Sequence, residues 1–322
     1  MRAAVVERYG PPEVVEIREV PTPVPGADEI LVRIRAVTVN SGDARVRALR
    51  VPGGMGPLMR LSLGWSGPKQ PILGFEGAGE VEAVGANVTK FKPGDRVVAS
   101  HGFKFGLHAE YSTFKESDAV ALIPEGVSYE DAAAVLFGGT TAVMFFRECG
   151  LKAGESILIN GASGAVGVMA VQIAKHMGAE VTGVCSSRNA ELVRSLGADH
   201  VIAYDREDFT KTGQTYDVIM DNHGNAPFSR VKGSLKPGGR FLLVIFGNLW
   251  EFISAKWTKQ VIEVDENDNA ITPETYAHLL DLTARGIIRP VIEKVYPFEE
   301  IVEAHRRVDS GHKVGSVVVA LG

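Results

Sequence analysis

Apolar and polar positions follow two rhythms along this chain. Over residues 1–125 the apolar runs are short and strand-like: Ala3–Glu7, Val14–Ile17, Ile30–Ile34 and Gly79–Val84. Pro11-Pro12, Pro21-Thr22-Pro23 and Pro25-Gly26 separate them, and Phe91-Lys92-Pro93-Gly94-Asp95-Arg96-Val97-Val98 reads as a turn feeding a strand. Short strands punctuated in this way predict a compact, barrel-like β domain. Gly53–Pro71 interrupts the rhythm as an irregular insert. Its Met55, Met59 and Trp65 would either line a pocket or seal the loop onto the barrel.

From Tyr129 the period changes. Asp131–Leu136 and Thr141–Arg147 read as two helices, after which strands and helices alternate. Ile157–Asn160, Val181–Cys185, His200–Ala203, Asp217–Met220 and Arg240–Phe246 are the expected strands, the last entered through a turn at Lys236-Pro237-Gly238-Gly239. Helices end at Gly178, Gly197 and Leu235. Buried strands joined by right-handed helical crossovers make an α/β, doubly wound parallel sheet of the Rossmann type. The tail holds an extended run, Pro290–Tyr296, a helix, Phe298–Val308, and a last strand, Val314–Leu321. It is expected to touch both domains and is grouped with the first, which gives a barrel of 1–125 plus 287–322 and a dinucleotide-binding domain of 126–286.

The first strand of the alternating region runs into Gly161-Ala162-Ser163-Gly164-Ala165-Val166-Gly167, and in the helix behind it Val166, Ala170, Ile173, Ala174 and Met177 share one face. A strand, a glycine turn and a helix N-terminus bring free N–H groups to one point, where a pyrophosphate binds. Gly161 permits the tight turn, Gly164 lets a phosphate approach the backbone, and Gly167 lets the helix pack on the strand. The spacing is G-x-x-G-x-x-G, so the bland alternative is a glycine-rich turn with no ligand. A P-loop would end in Gly-Lys-Ser/Thr and a nucleophile elbow would read G-x-S-x-G; neither occurs. Gly161, Ser163, Gly164, Ala165 and Val166 are therefore cofactor candidates.

Dinucleotide sites for NAD place an acid at the end of the second strand. Here that end is Cys185-Ser186-Ser187-Arg188. With no carboxylate in that run and a guanidinium beside it, Ser186, Ser187 and Arg188 are expected to take the 2′-phosphate of NADPH. The alternative makes Arg188 a solvated helix-start residue with the serines as caps.

The chain has 322 residues, 45% of them apolar, and a net charge of −5 with no basic block, which argues against nucleic acid and anionic membrane as partners. No apolar run reads as a membrane span, and Met1-Arg2-Ala3-Ala4-Val5-Val6-Glu7 lacks a signal-peptide core. Two cysteines, Cys149 and Cys185, exclude a disulfide framework and suit a reducing cytoplasm. Tyr111 and Lys115 form a Tyr-x-x-x-Lys pair, but ahead of the glycine turn and in strand-like surroundings. His101, His108 and His223 read as structural or surface residues.

Asn40-Ser41-Gly42-Asp43, Gly74-Phe75-Glu76-Gly77-Ala78-Gly79, Pro93-Gly94-Asp95-Arg96-Val97, Gly139-Thr140-Thr141-Ala142, the glycine turn and the tail from Ala304-His305 through Gly311-His312 to Gly315 together resemble the zinc-free quinone oxidoreductase branch of the medium-chain dehydrogenase/reductase superfamily. The resemblance covers nearly the whole chain. It implies a co-chaperonin-like, partly open barrel joined to a Rossmann domain, an active site in the cleft between them, a nicotinamide cofactor and a homodimer. Zinc-dependent members of the superfamily carry Cys and His where this chain has Asn40 and Phe75, although Asp43 and Glu76 remain; amide and phenyl groups are not zinc ligands. By the resemblance, Thr141 at a helix start lies by the nicotinamide, and the backbone at Val244–Gly247, including Ile245 and Phe246, holds the carboxamide. Tyr204 packs near the 2′-phosphate, and Asn222 joins the cofactor candidates. Asn40, Asp43 and Arg45 are the catalytic candidates, with Arg45 where relatives often carry Tyr; Asn40 and Asp43 could equally hold a loop through backbone hydrogen bonds. Ser316 stands where relatives often have Lys. The expected activity is NADPH-dependent, zinc-independent transfer of hydride to a quinone or an electron-poor alkene. A zinc-free alcohol dehydrogenase and a cofactor-binding protein with little turnover are the alternatives.

Overall fold

A computed structural model of the chain describes residues 1–51, 55–245, 250, 257–262 and 271–322. Its strands, in chain order, are β1 (Arg2–Val5), β2 (Glu16–Glu19), β3 (Glu29–Val39), β4 (Glu76–Val84), β5 (Arg96–Ser100), β6 (Tyr111–Lys115), β7 (Ala119–Leu122), β8 (Ser156–Asn160), β9 (Glu180–Cys185), β10 (His200–Ala203), β11 (Tyr216–Asp221), β12 (Leu235–Leu243), β13 (Val261–Ile262), β14 (Ile292–Pro297) and β15 (Ser316–Ala320). They divide between two compact units, one built from 1–51, 56–137 and 271–322, the other chiefly from 138–270.

The first unit is a seven-stranded sheet ordered β14-β15-β3-β4-β5-β7, with β6 also pairing β3. All pairs are antiparallel except β14–β15. The long strand β3 is its spine. It bulges twice against β4, which increases its local twist and helps curl the sheet around Ile30, Val32, Ile34, Phe114, Val317, Val319 and Phe298. Burying each such side chain contributes ~1.5–3 kcal/mol. Strand β3 ends at Val39, and helix α1 (Ser41–Ala48) begins at once.

The second unit is a six-stranded parallel sheet ordered β10-β9-β8-β11-β12-β13. Counted from β8 the order is 3-2-1-4-5-6, the doubly wound arrangement, with its switch point between β8 and β11. Ile157, Leu158 and Ile159 are all fully buried, as expected of a parallel strand covered on both faces.

Four expectations need correction. Asp131–Leu136 and Thr141–Arg147 belong to one helix, α2 (Tyr129–Cys149), which continues through Gly138-Gly139. A Cβ at Gly138 would lie 2.2 Å from the Ala165 carbonyl, so this glycine permits a close crossing and does not break the helix. This helix is apolar and long enough to cross a membrane, but 67% of its apolar window is buried within the fold. The insert 53–71 includes an eight-residue helix, Gly56–Leu63, whose Leu58 and Leu61 are exposed along with the nearby Trp65. Strand β12 runs from Leu235 to Leu243 and not from 240 to 246; the expected turn at Lys236–Gly239 lies within those bounds as an excursion between the Leu235–Tyr216 and Arg240–Val218 pairs, with Gly238 at φ +78°.

The units part at Phe137/Gly138 and near residue 271, not at 125/126 and 286/287. The helix Pro273–Ala284 buries Tyr276, Leu279, Leu280 and Leu282 and packs on β7, which draws it into the barrel unit.

Candidate functional site

In the barrel unit, Asn40 is the N-cap of α1. Its Oδ1 accepts from the N–H groups of Gly42 (2.8 Å) and Asp43 (3.1 Å), while Asp43 Oδ2 accepts from the Asn40 N–H at 2.9 Å. This reciprocal box forms because Asn and a carboxylate stand three residues apart at a helix start. The other Asp43 oxygen accepts from the Gly74 N–H at 3.0 Å, at a residue whose φ of +95° favours glycine. Asp43 is thus a buried brace between two loops. The Asn40 Nδ2 is buried and has no partner. Arg45 is one turn further along α1, where burial and nearby Arg50 lower its pKa.

Phe75 packs edge-on against Phe105, ring centres 4.7 Å apart, and against Gly42. Burial holds the Glu76 carboxyl well above the usual carboxylate range, and the Asp43 carboxyl adds to the shift. Its Oε1 has no partner, and buried Tyr276 lies within electrostatic reach. Among the described residues no group of three or more His, Cys, Asp or Glu side chains is assembled to hold a metal. An amide, a phenyl ring and a carboxylate already engaged by two N–H groups do not make a zinc donor set. Tyr111 and Lys115 sit on β6, Nε2 of His101 contacts Ser112 Oγ at 2.9 Å, and Nε2 of His108 contacts the Thr38 carbonyl at 3.1 Å, all structural placements.

In the second unit the glycine turn leaves β8 and is tied to the end of β9, where Gly161 and Ala162 donate to the Val184 carbonyl. Gly161 has φ +78°, open to glycine. A Cβ on Gly167 would lie 2.1 Å from the Gly161 carbonyl, whereas one on Gly164 would meet nothing nearer than 3.5 Å. Gly167 is therefore required by packing, and Gly164 borders open space. Helix α3 (Ala165–His176) begins at Gly164 with no side-chain cap, so the first-turn N–H groups of Ala165 and Val166 lack helical acceptors. The residues fit a pyrophosphate cradle. Ser163 Oγ accepts from Asn189 Nδ2 at 3.1 Å, joining this turn to the one after β9.

After β9, the Ser186 hydroxyl is buried without a partner. Arg188 and Tyr204 are exposed nearby, with the Tyr204 N–H donating to the Cys185 carbonyl. Ser187 is already engaged: its N–H and hydroxyl both donate to Asp205, at 2.8 and 2.6 Å. The expectation of no carboxylate at this end held for the β9 run but overlooked Asp205, delivered by the adjacent strand β10.

At the switch point Asp221 accepts from Asn160 Nδ2 and from the N–H groups of His223, Gly224 and Ala226. That carboxylate shapes the turn carrying Asn222, whose amide oxygen and nitrogen are both unpartnered. Val244 and Ile245 leave β12 beside this turn, a Cβ on Gly224 lying 2.9 Å from Ile245 Cγ2. Phe246 and Gly247 lie outside the described residues. Thr141 is in the middle of α2, not at a helix start, because the helix does not break at the glycines. Sequence reasoning passed over Thr140, whose hydroxyl is buried and unpartnered, as well as Asp205 and Tyr276.

Residues 26–125 match the family model described as an alcohol dehydrogenase GroES-like domain, and 196–319 match one described as a zinc-binding dehydrogenase. A quinone oxidoreductase of Pseudomonas aeruginosa is 34% identical over 331 residues, covering 97% of each chain. The solved quinone oxidoreductase of Coxiella burnetii superposes with a TM-score of 0.86 at 26% identity, covering 100% of this chain and 99% of that one. The Escherichia coli quinone oxidoreductase complexed with NADPH gives 0.83 at 26% identity, covering 99% and 100%. With the doubly wound sheet, its glycine turn and the GroES-like barrel all in place, the chain belongs to the quinone oxidoreductase branch of the medium-chain dehydrogenase/reductase superfamily, a family of nicotinamide-dependent oxidoreductases.

Proposed function

We propose that this oxidoreductase uses NADPH to reduce a quinone or an electron-poor alkene, without zinc. The observation that carries the reading is the Asn40 amide: Oδ1 is committed to capping α1, and Nδ2 is left as a buried donor with no protein acceptor. A bound nicotinamide would supply the hydride for the β-carbon of an enone or for a quinone. Asn40 Nδ2 then donates to the carbonyl oxygen as negative charge collects there, an effect of ~3 kcal/mol in a dry site. Asp43 holds Asn40 in place, and Arg45 contributes positive charge on the same helix. Water is the final proton source.

For the cofactor, Gly161, Ser163, Gly164, Ala165 and Val166 would hold the pyrophosphate, while Ser186, Ser187, Arg188 and Tyr204 would surround the 2′-phosphate. Asn222 and Thr141 would contact the ribose and nicotinamide, and the backbone from Val244 would hold the carboxamide. The substitutions at Asn40 and Phe75 favour zinc independence. The two cysteines are buried and unpaired, each thiol pushed up to about 11 by burial, which suits a cytoplasmic protein; a homodimer is the proposed assembly. The test is NADPH consumption with a panel of quinones and enones beside alcohol oxidation with NADP⁺. Turnover of alcohols alone would favour the dehydrogenase alternative, and none with any acceptor would favour a binding protein.

A further inference from the structure

We infer that Asp205 is a specificity-determining residue of the cofactor site, a carboxylate that competes with the 2′-phosphate for Ser187 and so narrows the preference for NADPH over NADH. The inference rests on the cofactor reading above and deepens it.

Parallel strands β8, β9 and β10 lie side by side, so the loops at their carboxyl ends are neighbours. The β8 loop is the glycine turn. The β9 loop begins Ser186-Ser187-Arg188, and Asn189 ties it to Ser163 of the glycine turn. In a doubly wound domain the end of this second strand is where the ribose 2′ position is read. The β10 loop brings Asp205 to the same place, since Ala203 is in register with Cys185 and the Tyr204 N–H holds the Cys185 carbonyl.

Asp205 takes both donors of Ser187, N–H to Oδ1 at 2.8 Å and hydroxyl to Oδ2 at 2.6 Å. These bonds hold the carboxylate below its usual range, with Arg206 adding to the effect, so it is charged at neutral pH. A 2′-phosphate needs the same kind of donors. It must displace Asp205 from Ser187 or sit near its charge, whereas Arg188 draws it in. A 2′-hydroxyl meets no such conflict, because it can donate to a carboxylate. Ser186, whose buried hydroxyl has no partner, is the donor still open to either group.

The experiment compares dissociation constants of NADPH and NADH, by fluorescence titration at fixed salt, for the wild-type chain, Asp205→Asn and Asp205→Ala. Both substitutions should raise the affinity ratio in favour of NADPH, by about tenfold for Asp205→Asn, and the NADPH gain should shrink as salt is added. An unchanged ratio would overturn the inference. So would a parallel loss of both cofactors, which is what a purely structural bond between the two loops would give. Failure of the wild-type chain to bind either cofactor would instead overturn the nicotinamide reading, and this inference with it.

Discussion

Asn40 and Asp43 hold each other: the side chain of each accepts the backbone N–H of the other, at 3.1 and 2.9 Å. The box uses only the oxygen of the Asn40 amide and leaves its nitrogen free. The capping role and the proposed chemical role therefore fall on different atoms of one side chain, and substitution can separate them.

Asn40→Ser retains an N-cap oxygen and loses the amide donor. We expect its thermal midpoint to stay close to wild type while turnover with an enone falls about 100-fold. The NADPH dissociation constant should hardly change. Steady-state kinetics beside a cofactor titration checks this, and normal turnover in Asn40→Ser would remove Asn40 from the chemistry.

Deuterium supplied at C4 of NADPH should appear at the β-carbon of the reduced enone. Label at the carbonyl carbon, read by NMR, would mean carbonyl reduction and favour the alcohol dehydrogenase alternative.

Two glycines of the same turn should respond oppositely to alanine. Gly167→Ala forces a Cβ to within 2.1 Å of a backbone oxygen and should destabilise the fold by about 3 kcal/mol or more. Gly164→Ala finds room at 3.5 Å in a residue with φ −80°, so the protein should melt near wild type yet bind NADPH far more weakly. Melting curves and titrations on both variants make the comparison.

Glu76 and His305 should shape the pH dependence of stability from opposite sides. The folded-state pKa of Glu76 is raised above its ordinary 4.5, so its contribution is complete below that value and is lost as pH rises towards the folded value. Glu76→Gln should gain on wild type progressively as pH rises above 4.5. His305 is fully buried, and burial, His108 and Arg47 lower its pKa well below 6.5, so its contribution is present above 6.5 and lost as pH falls. His305→Leu should flatten the acid limb of the melting profile. Parallel profiles for wild type and variant would contradict either assignment.

Purified, untagged protein is expected to contain no zinc. About one zinc per chain by elemental analysis, removed with loss of activity, would contradict the reading of Asn40 and Phe75.

Features that depend on neighbours along the chain are legible in the residues alone. The strand, glycine turn and helix at 156–176, the capping pattern of Asn40 and Asp43, and the strand–helix alternation behind the doubly wound sheet are set by spacing and by the backbone freedom of single residues. Features that depend on which strands lie side by side emerge only in the folded chain. Asp205 reaches Ser187 only because β10 pairs with β9, and the sequence offered no local sign of it. Helix α2 passes through Gly138-Gly139 because a crossing backbone needs the missing Cβ, although the local glycine signal reads as a break. The helix 273–284 joins the barrel unit because Tyr276 and its leucines find burial there. Hydrogen-bond geometry and burial across long sequence separations arise only when the chain has closed, and they separate the used oxygen of Asn40 from its unused nitrogen.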